Sequence, residues 1–118
     1  KRFAGREGAA QSTRQLGHAI RERRAAEPLL LVFRSTMPPG TMSRLVLPTL
    51  ERAAGEPPGR RWEAAFNPEF LRESTAVKDY FAPPKIVIGE REPGVTKRLL
   101  GIYDGIDAPL FEVPLMVA

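Results

Sequence analysis

Two glutamates, Glu69 and Glu73, lie four residues apart in the stretch Phe66-Asn67-Pro68-Glu69-Phe70-Leu71-Arg72-Glu73-Ser74-Thr75-Ala76-Val77-Lys78-Asp79-Tyr80. Carboxylates at that spacing share one face of a helical turn. The turn follows a short apolar run, Ala64-Ala65-Phe66, and by residue type marks a candidate ligand site. A second group of polar residues, Ser35-Thr36, follows another apolar run, and Gly40 nearby would let backbone approach a ligand closely. Each residue also has a plainer reading. Glu69 in a helix's first turn would complement the helix dipole. Ser35 and Thr36 would satisfy loop backbone groups. Arg72 with Glu73 would form a surface ion pair of small value.

Composition narrows the chemistry. The 118 residues contain no cysteine and one histidine, His18. Disulfides, thiolate metal sites, cysteine nucleophiles within the chain and multi-histidine metal sites are therefore excluded. No Gly-x-Gly-x-x-Gly or Walker phosphate loop is present, and no metal-ligand constellation. The net charge is +4, with much of the excess in Lys1, Arg2, Arg6, Arg14, Arg21, Arg23 and Arg24. Such a balance can attract an anionic ligand or nucleic acid, but the plainer reading is a solvated basic helix, and no base-reading motif accompanies it. No apolar run approaches the roughly 18–20 residues of a membrane span, and no signal-peptide pattern opens the chain. The expected compartment is the cytoplasm.

The elements that must position these residues follow from periodicity. Residues 1–8 carry Gly5 and Gly8 and predict an irregular start. A helix is predicted from Ala9 to about Arg24, with Leu16, Ala19 and Ile20 on its apolar face. Leu29-Leu30-Leu31-Val32-Phe33 suits a strand buried on both faces. Thr41 is placed as the cap of a helix whose apolar face is Met42, Leu45, Val46, Leu50 and Ala53, kinked or ended by Pro48. Trp62 to Phe66 predicts a second, weaker strand. Asn67 and Pro68 read as the cap and first position of a short helix. Lys85 to Gly89 is a β-branched strand. A helix carrying Val95, Leu99, Ile102, Tyr103 and Ile106 follows, then a short strand over Leu110 to Val113. This alternation predicts one α/β domain with a mostly parallel sheet and flanking helices. Ligands of such sheets gather at the carboxyl ends of the strands.

Three stretches together resemble one family. Arg34-Ser35-Thr36-Met37-Pro38-Pro39-Gly40-Thr41, Asn67 to Asp79, and Pro84-Lys85-Ile86-Val87-Ile88-Gly89 are similar to motifs of the nucleotide-sugar 6-dehydrogenases. These are the UDP-glucose and GDP-mannose dehydrogenases. The resemblance implies a partial Rossmann-like NAD-binding domain over residues 1–118, within an enzyme oxidising a sugar primary alcohol to a carboxylate with two NAD molecules. A cysteine of a second domain would trap the aldehyde, and the resulting thioester would be hydrolysed. By the same resemblance, Glu69 is the general base of that hydrolysis and Thr36 lies near the water. A carboxylate suits that role if partial burial raises its pKa. Ser35 and Glu73 contact the cofactor, and Phe70, Leu71, Arg72 and Glu73 line the nucleotide-sugar site. The stretch Ser74 to Gly89, with Tyr80 and Pro83-Pro84, leans toward the GDP-mannose type.

The departures matter as much. The glycine-rich turn of the first βαβ half and the nucleophilic cysteine are both absent. The chain also opens at Lys1. The expectation is a piece of a longer, homo-oligomeric enzyme, inactive by itself. The alternative is a non-catalytic α/β binding or interaction module that keeps the fold.

Overall fold

The computed structural model describes residues 2–70, 73–94 and 97–118. The elements in chain order are α1 (Arg2–Glu22), β1 (Leu29–Phe33), a π-helical turn (Met42–Val46), α2 (Leu47–Ala54) and β2 (Trp62–Phe66). A 3-10 turn (Glu73–Thr75), α3 (Ala76–Phe81), β3 (Ile86–Glu90), α4 (Lys97–Leu100), a second 3-10 turn (Gly101–Tyr103) and β4 (Leu110–Pro114) follow. The four strands form one sheet in the order β1-β2-β3-β4. β1 pairs parallel with β2, and β3 parallel with β4, while β2 meets β3 antiparallel through Ala65 and Phe66. The fold is α/β with a mostly parallel sheet.

Strand alternation divides the core into two layers. Trp62, Ala64 and Phe66 of β2 join Ile20 of α1, Met42, Val46 and Leu50 in one cluster, backed by Leu29, Leu31 and Phe33. Ala65 faces the other way and packs with Ile86, Ile88 and Leu99, backed by Leu30, Val32 and Tyr103. The run over Trp62–Phe66, the weaker strand by sequence, is buried at every position, whereas all five residues of β1 are only half-buried. β2 is central and β1 lies at the sheet edge, so full burial on both faces belongs to β2 and not to β1.

Four other expectations change. The first helix begins at Arg2, not Ala9, and runs through Gly5 and Gly8. Those glycines cost about 1 kcal/mol each relative to alanine, too little to stop a helix otherwise rich in Ala, Arg and Gln. Its packed face is Thr13, Gly17 and Ile20, whereas Leu16 and Ala19 are exposed. The reason is close approach to α2: a Cβ on Gly17 would stand 2.4 Å from Cβ of Ala53 and 3.2 Å from the Ala54 nitrogen. Gly17→Ala should therefore destabilise the fold by about 1–3 kcal/mol through overpacking. A thermal melt at or above the wild-type midpoint would show that α1 and α2 separate freely.

Pro48 neither ends nor visibly breaks its segment. The Leu47 amide bonds Met42 O, five residues back, and Pro48 then occupies the start of α2. The wider π turn accommodates a residue without an N–H, and the first turn of the following helix needs no donor there. Thr41 makes no side-chain cap; its hydroxyl donates to Pro38 O at 2.7 Å. The predicted long helix after Pro93 is shorter than expected, α4 followed by a 3-10 turn, with Ile102 exposed. Val95 lies outside the described residues.

Candidate functional site

Parallel pairing brings the carboxyl ends of β1 and β2 to the same edge of the sheet, in register from Leu29 opposite Trp62 to Phe33 opposite Phe66. The ladder closes with the Asn67 amide donating to Phe33 O at 2.9 Å. The two polar stretches, Arg34-Ser35-Thr36 and Asn67-Pro68-Glu69, therefore leave the sheet side by side. Beyond β1 the chain turns at Gly40, whose φ of 83° falls in the left-handed region that favours glycine. The Gly40 carbonyl then accepts from the Arg44 amide at 2.9 Å.

Asn67 is not a helix cap. No helix is formed over residues 67–70. Instead Asn67 is 1% exposed, and its side chain donates to Val87 O on β3 at 2.8 Å. Its carbonyl oxygen accepts from the Tyr103 hydroxyl. These tertiary partners outweigh a local cap, because a buried amide must satisfy both its donor and its acceptor. Glu69 consequently leaves the sheet outside any helix or strand, and Glu73 opens a 3-10 turn. The premise of one helical turn carrying both carboxylates is not met at Glu69. Leu71 and Arg72 lie outside the described residues.

Glu69 and Phe70 line a small pocket with Arg34, Pro68, Asp79, Tyr80, Pro83 and Tyr103. Phe70 is partly exposed, and the Lys85 ammonium lies 5.0 Å from its ring centroid, within cation–π range. The Thr75 hydroxyl donates to the Asp79 carboxylate at 2.9 Å, tying the 3-10 turn to α3 beneath the pocket. Ser35, Thr36 and Glu73 are exposed and are not among the residues lining this pocket. The structure thus brings Glu69 together with Phe70, and leaves the two hydroxyls and the second glutamate on neighbouring surface.

Six pocket residues carry no site role by sequence: Arg34, Pro68, Asp79, Tyr80, Pro83 and Tyr103. Arg34 stands at the head of a motif whose next two residues carry the hydroxyls. Tyr103 reads as one more apolar position on a helical stripe, and nothing local reveals that its hydroxyl meets Asn67. Arg34 Nε is buried without an acceptor among the described residues. A buried donor left unmade costs about 1–3 kcal/mol, so this atom suits a ligand oxygen or a bound water.

The clearest protonation effect falls on Arg91, which is not a pocket residue. Its guanidinium grips the buried Glu63 of β2 through Nη2 at 2.8 Å and Nε at 3.3 Å. The hydrogen bond from Arg91 to Glu63 raises the Arg91 pKa above its ordinary value, against desolvation, with Glu92 adding to it. This pair fastens β2 to the end of β3 and is structural. Among the described residues no His, Cys, Asp and Glu group could hold a metal ion, and no helix is long and apolar enough to cross a membrane.

Residues 8–107 match the model of the UDP-glucose/GDP-mannose dehydrogenase family, NAD binding domain. The chain is 46% identical over 105 residues to a GDP-mannose 6-dehydrogenase of Azotobacter vinelandii, covering 89% of the chain and 24% of that protein. It is 41% identical over 83 residues to a UDP-glucose 6-dehydrogenase of Haloferax volcanii, covering 70% of the chain and 18% of that protein. Its fold matches the GDP-mannose dehydrogenase of Pseudomonas aeruginosa, solved as a ternary complex, with a TM-score of 0.84 and 42% identity. That match covers 92% of this chain and 24% of the solved one. The chain thus spans about a quarter of the length of these GDP-mannose relatives. A matched stretch of 100 residues and the shared fold place this chain in the UDP-glucose/GDP-mannose dehydrogenase family, as part of its NAD-binding domain.

Proposed function

We propose that this chain works as one part of an NAD-dependent nucleotide-sugar 6-dehydrogenase, contributing the Glu69 side of the active site. The observation that carries the reading is the pocket of Glu69, Phe70, Arg34 and Tyr103 at the joint carboxyl edge of β1 and β2. GDP-mannose is the favoured substrate over UDP-glucose, supported by GDP-mannose relatives at 41–46% identity over 105 residues against 41% over 83 residues for a UDP-glucose relative.

The residues present suit a share of a dinucleotide site and not the whole of it. The exposed Ser35 hydroxyl lies on the loop after β1, where ligands of α/β sheets gather, and Glu73 lies on the exposed turn before α3. The glycine-rich turn that would hold the pyrophosphate is not in this chain. When bound, NAD accepts the hydride. Ser35 and Glu73 orient it, and Phe70, Leu71, Arg72 and Glu73 line the nucleotide sugar. The orphaned Arg34 Nε offers a donor to an oxygen of that ligand.

In the hydrolytic half of the reaction, Glu69 takes a proton from water held near Thr36. The water oxygen bonds to the thioester carbonyl carbon, and the cysteine sulfur of the second domain leaves as thiolate. The products are the free uronate and a regenerated nucleophile. A two-step oxidation, a cytoplasmic location and a homo-oligomeric parent belong to the same reading, as does the assignment of residues 1–118 to one partial domain.

The test separates the part from the whole. The isolated 118-residue chain, mixed with GDP-mannose or UDP-glucose and NAD, is expected to form no NADH above a no-enzyme control. Sugar-dependent absorbance growth at 340 nm (an assay wavelength) would overturn the division of the site between this chain and a cysteine-bearing domain.

A further inference from the structure

We propose that Tyr103 is a positioning residue for Glu69, acting through Asn67. The inference rests on the reading of Glu69 as the general base and extends it to a residue 34 positions later in the chain. Asn67 is held from three directions. Its backbone amide donates to Phe33 O at 2.9 Å. Its side-chain amide donates to Val87 O at 2.8 Å, and its side-chain carbonyl accepts from the Tyr103 hydroxyl. β1, β3 and the connection before β4 thus all converge on one buried residue.

The next residue, Pro68, has φ fixed near −65° by its ring. With Asn67 immobile and Pro68 stiff, little torsional freedom remains between the sheet and Glu69. Pro68, Glu69 and Tyr103 line the same pocket, so the group that fixes the turn is next to the group the turn presents. Tyr103 is itself anchored, since it packs against the cluster of Ala65, Ile86, Ile88 and Leu99. A tyrosine hydroxyl supplies the single donor that the Asn67 carbonyl oxygen needs there. Phenylalanine would keep the packing and lose only that donor.

Two measurements test this in the full-length protein carrying the Tyr103→Phe substitution. Hydrogen exchange at the Asn67 amide, which donates to Phe33 O, should speed up by about tenfold, the loss of one hydrogen bond, while the amides in the middle of β1 and β2 keep their protection. The kcat should fall by about three- to tenfold, with KM for sugar and NAD within about twofold. In a Glu69→Gln background, Tyr103→Phe should add no further loss, because the two act through one group. Unchanged exchange at the Asn67 amide, or losses that multiply in the double variant, would overturn the positioning role. If exchange responds as expected but wild-type protein forms no NADH from nucleotide sugar, the clamp stands and the dehydrogenase reading of Glu69 fails.

Discussion

In the full-length protein, Glu69→Gln is expected to slow turnover by about a hundredfold or more, the usual contribution of a positioned general base. The block should fall on hydrolysis. In the proposed sequence both hydride transfers precede it, so a first burst of NADH should survive while steady-state production stops. Intact-protein mass spectrometry should then find the enzyme carrying a covalently bound nucleotide-uronosyl group. Glutamine keeps the size and hydrogen-bonding reach of Glu69 but cannot accept a proton, so binding should change little. Glu69 is exposed at the rim of the pocket, so the partial burial that would suit it to the base role is not supplied within this chain, and the buried Asp79 lines the same pocket. Turnover equal to wild type would remove Glu69 from the base role and leave Asp79 to be tested next.

The second large effect is on stability. Trp62→Ala should cost about 3–5 kcal/mol, a large share of the roughly 5–15 kcal/mol that holds a domain together. Trp62 is 0% exposed and belongs to the larger cluster, with Ile20, Met42, Val46 and Leu50 among its other members. Its indole N–H also donates to Glu56 O at 3.2 Å. Alanine would leave a cavity between the sheet and both α1 and α2, and an unpaired Glu56 carbonyl. Trp62→Phe fills most of the space and should cost less than half as much as alanine. Chemical denaturation with both variants checks the ordering. A small, equal loss for the two would mean that the layer of α1 and α2 contributes little to folding.

Much of the fold was legible because its signals are local. Leu29 to Phe33 is a run too short for a buried helix, and Ile86 to Ile88 is β-branched; both are strands. The alternation of segments was enough to indicate a mostly parallel sheet. What local pattern could not supply was pairing. Nothing in the sequence near Trp62 marks β2 as central, since centrality depends on Leu29 to Phe33 on one side and Ile86 to Glu90 on the other. The antiparallel junction of β2 and β3 is similarly a matter of how the chain returns, not of residue type.

The candidate site divides along the same line. Glu69 and Phe70 stand out by type and by family motif, and they do share a pocket. Asn67 followed by Pro68 matches the pattern of a helix start, yet its partners are 20 and 36 residues away, at Val87 and Tyr103. Long-range hydrogen bonds to a fully buried amide outcompete a cap that solvent can replace. Arg34 is hidden for a different reason: an arginine at a strand end is ordinary, and only the fold shows its Nε buried without a partner among the described residues. Gly17 sets the distance between two helices, yet a missing side chain carries no hydrophobic signal.

In the proposed function the turn through Asn67, Pro68 and Glu69 is one side of a nucleotide-sugar oxidation site completed by a cysteine from elsewhere. The stoichiometry of NAD reduction by the full-length protein carrying this chain, supplied separately with limiting GDP-mannose and UDP-glucose, tests it. About two NADH per sugar consumed are expected, as needed to take an alcohol to a carboxylate, with GDP-mannose preferred. No NADH from either nucleotide sugar, or one NADH with release of a free aldehyde, would contradict it.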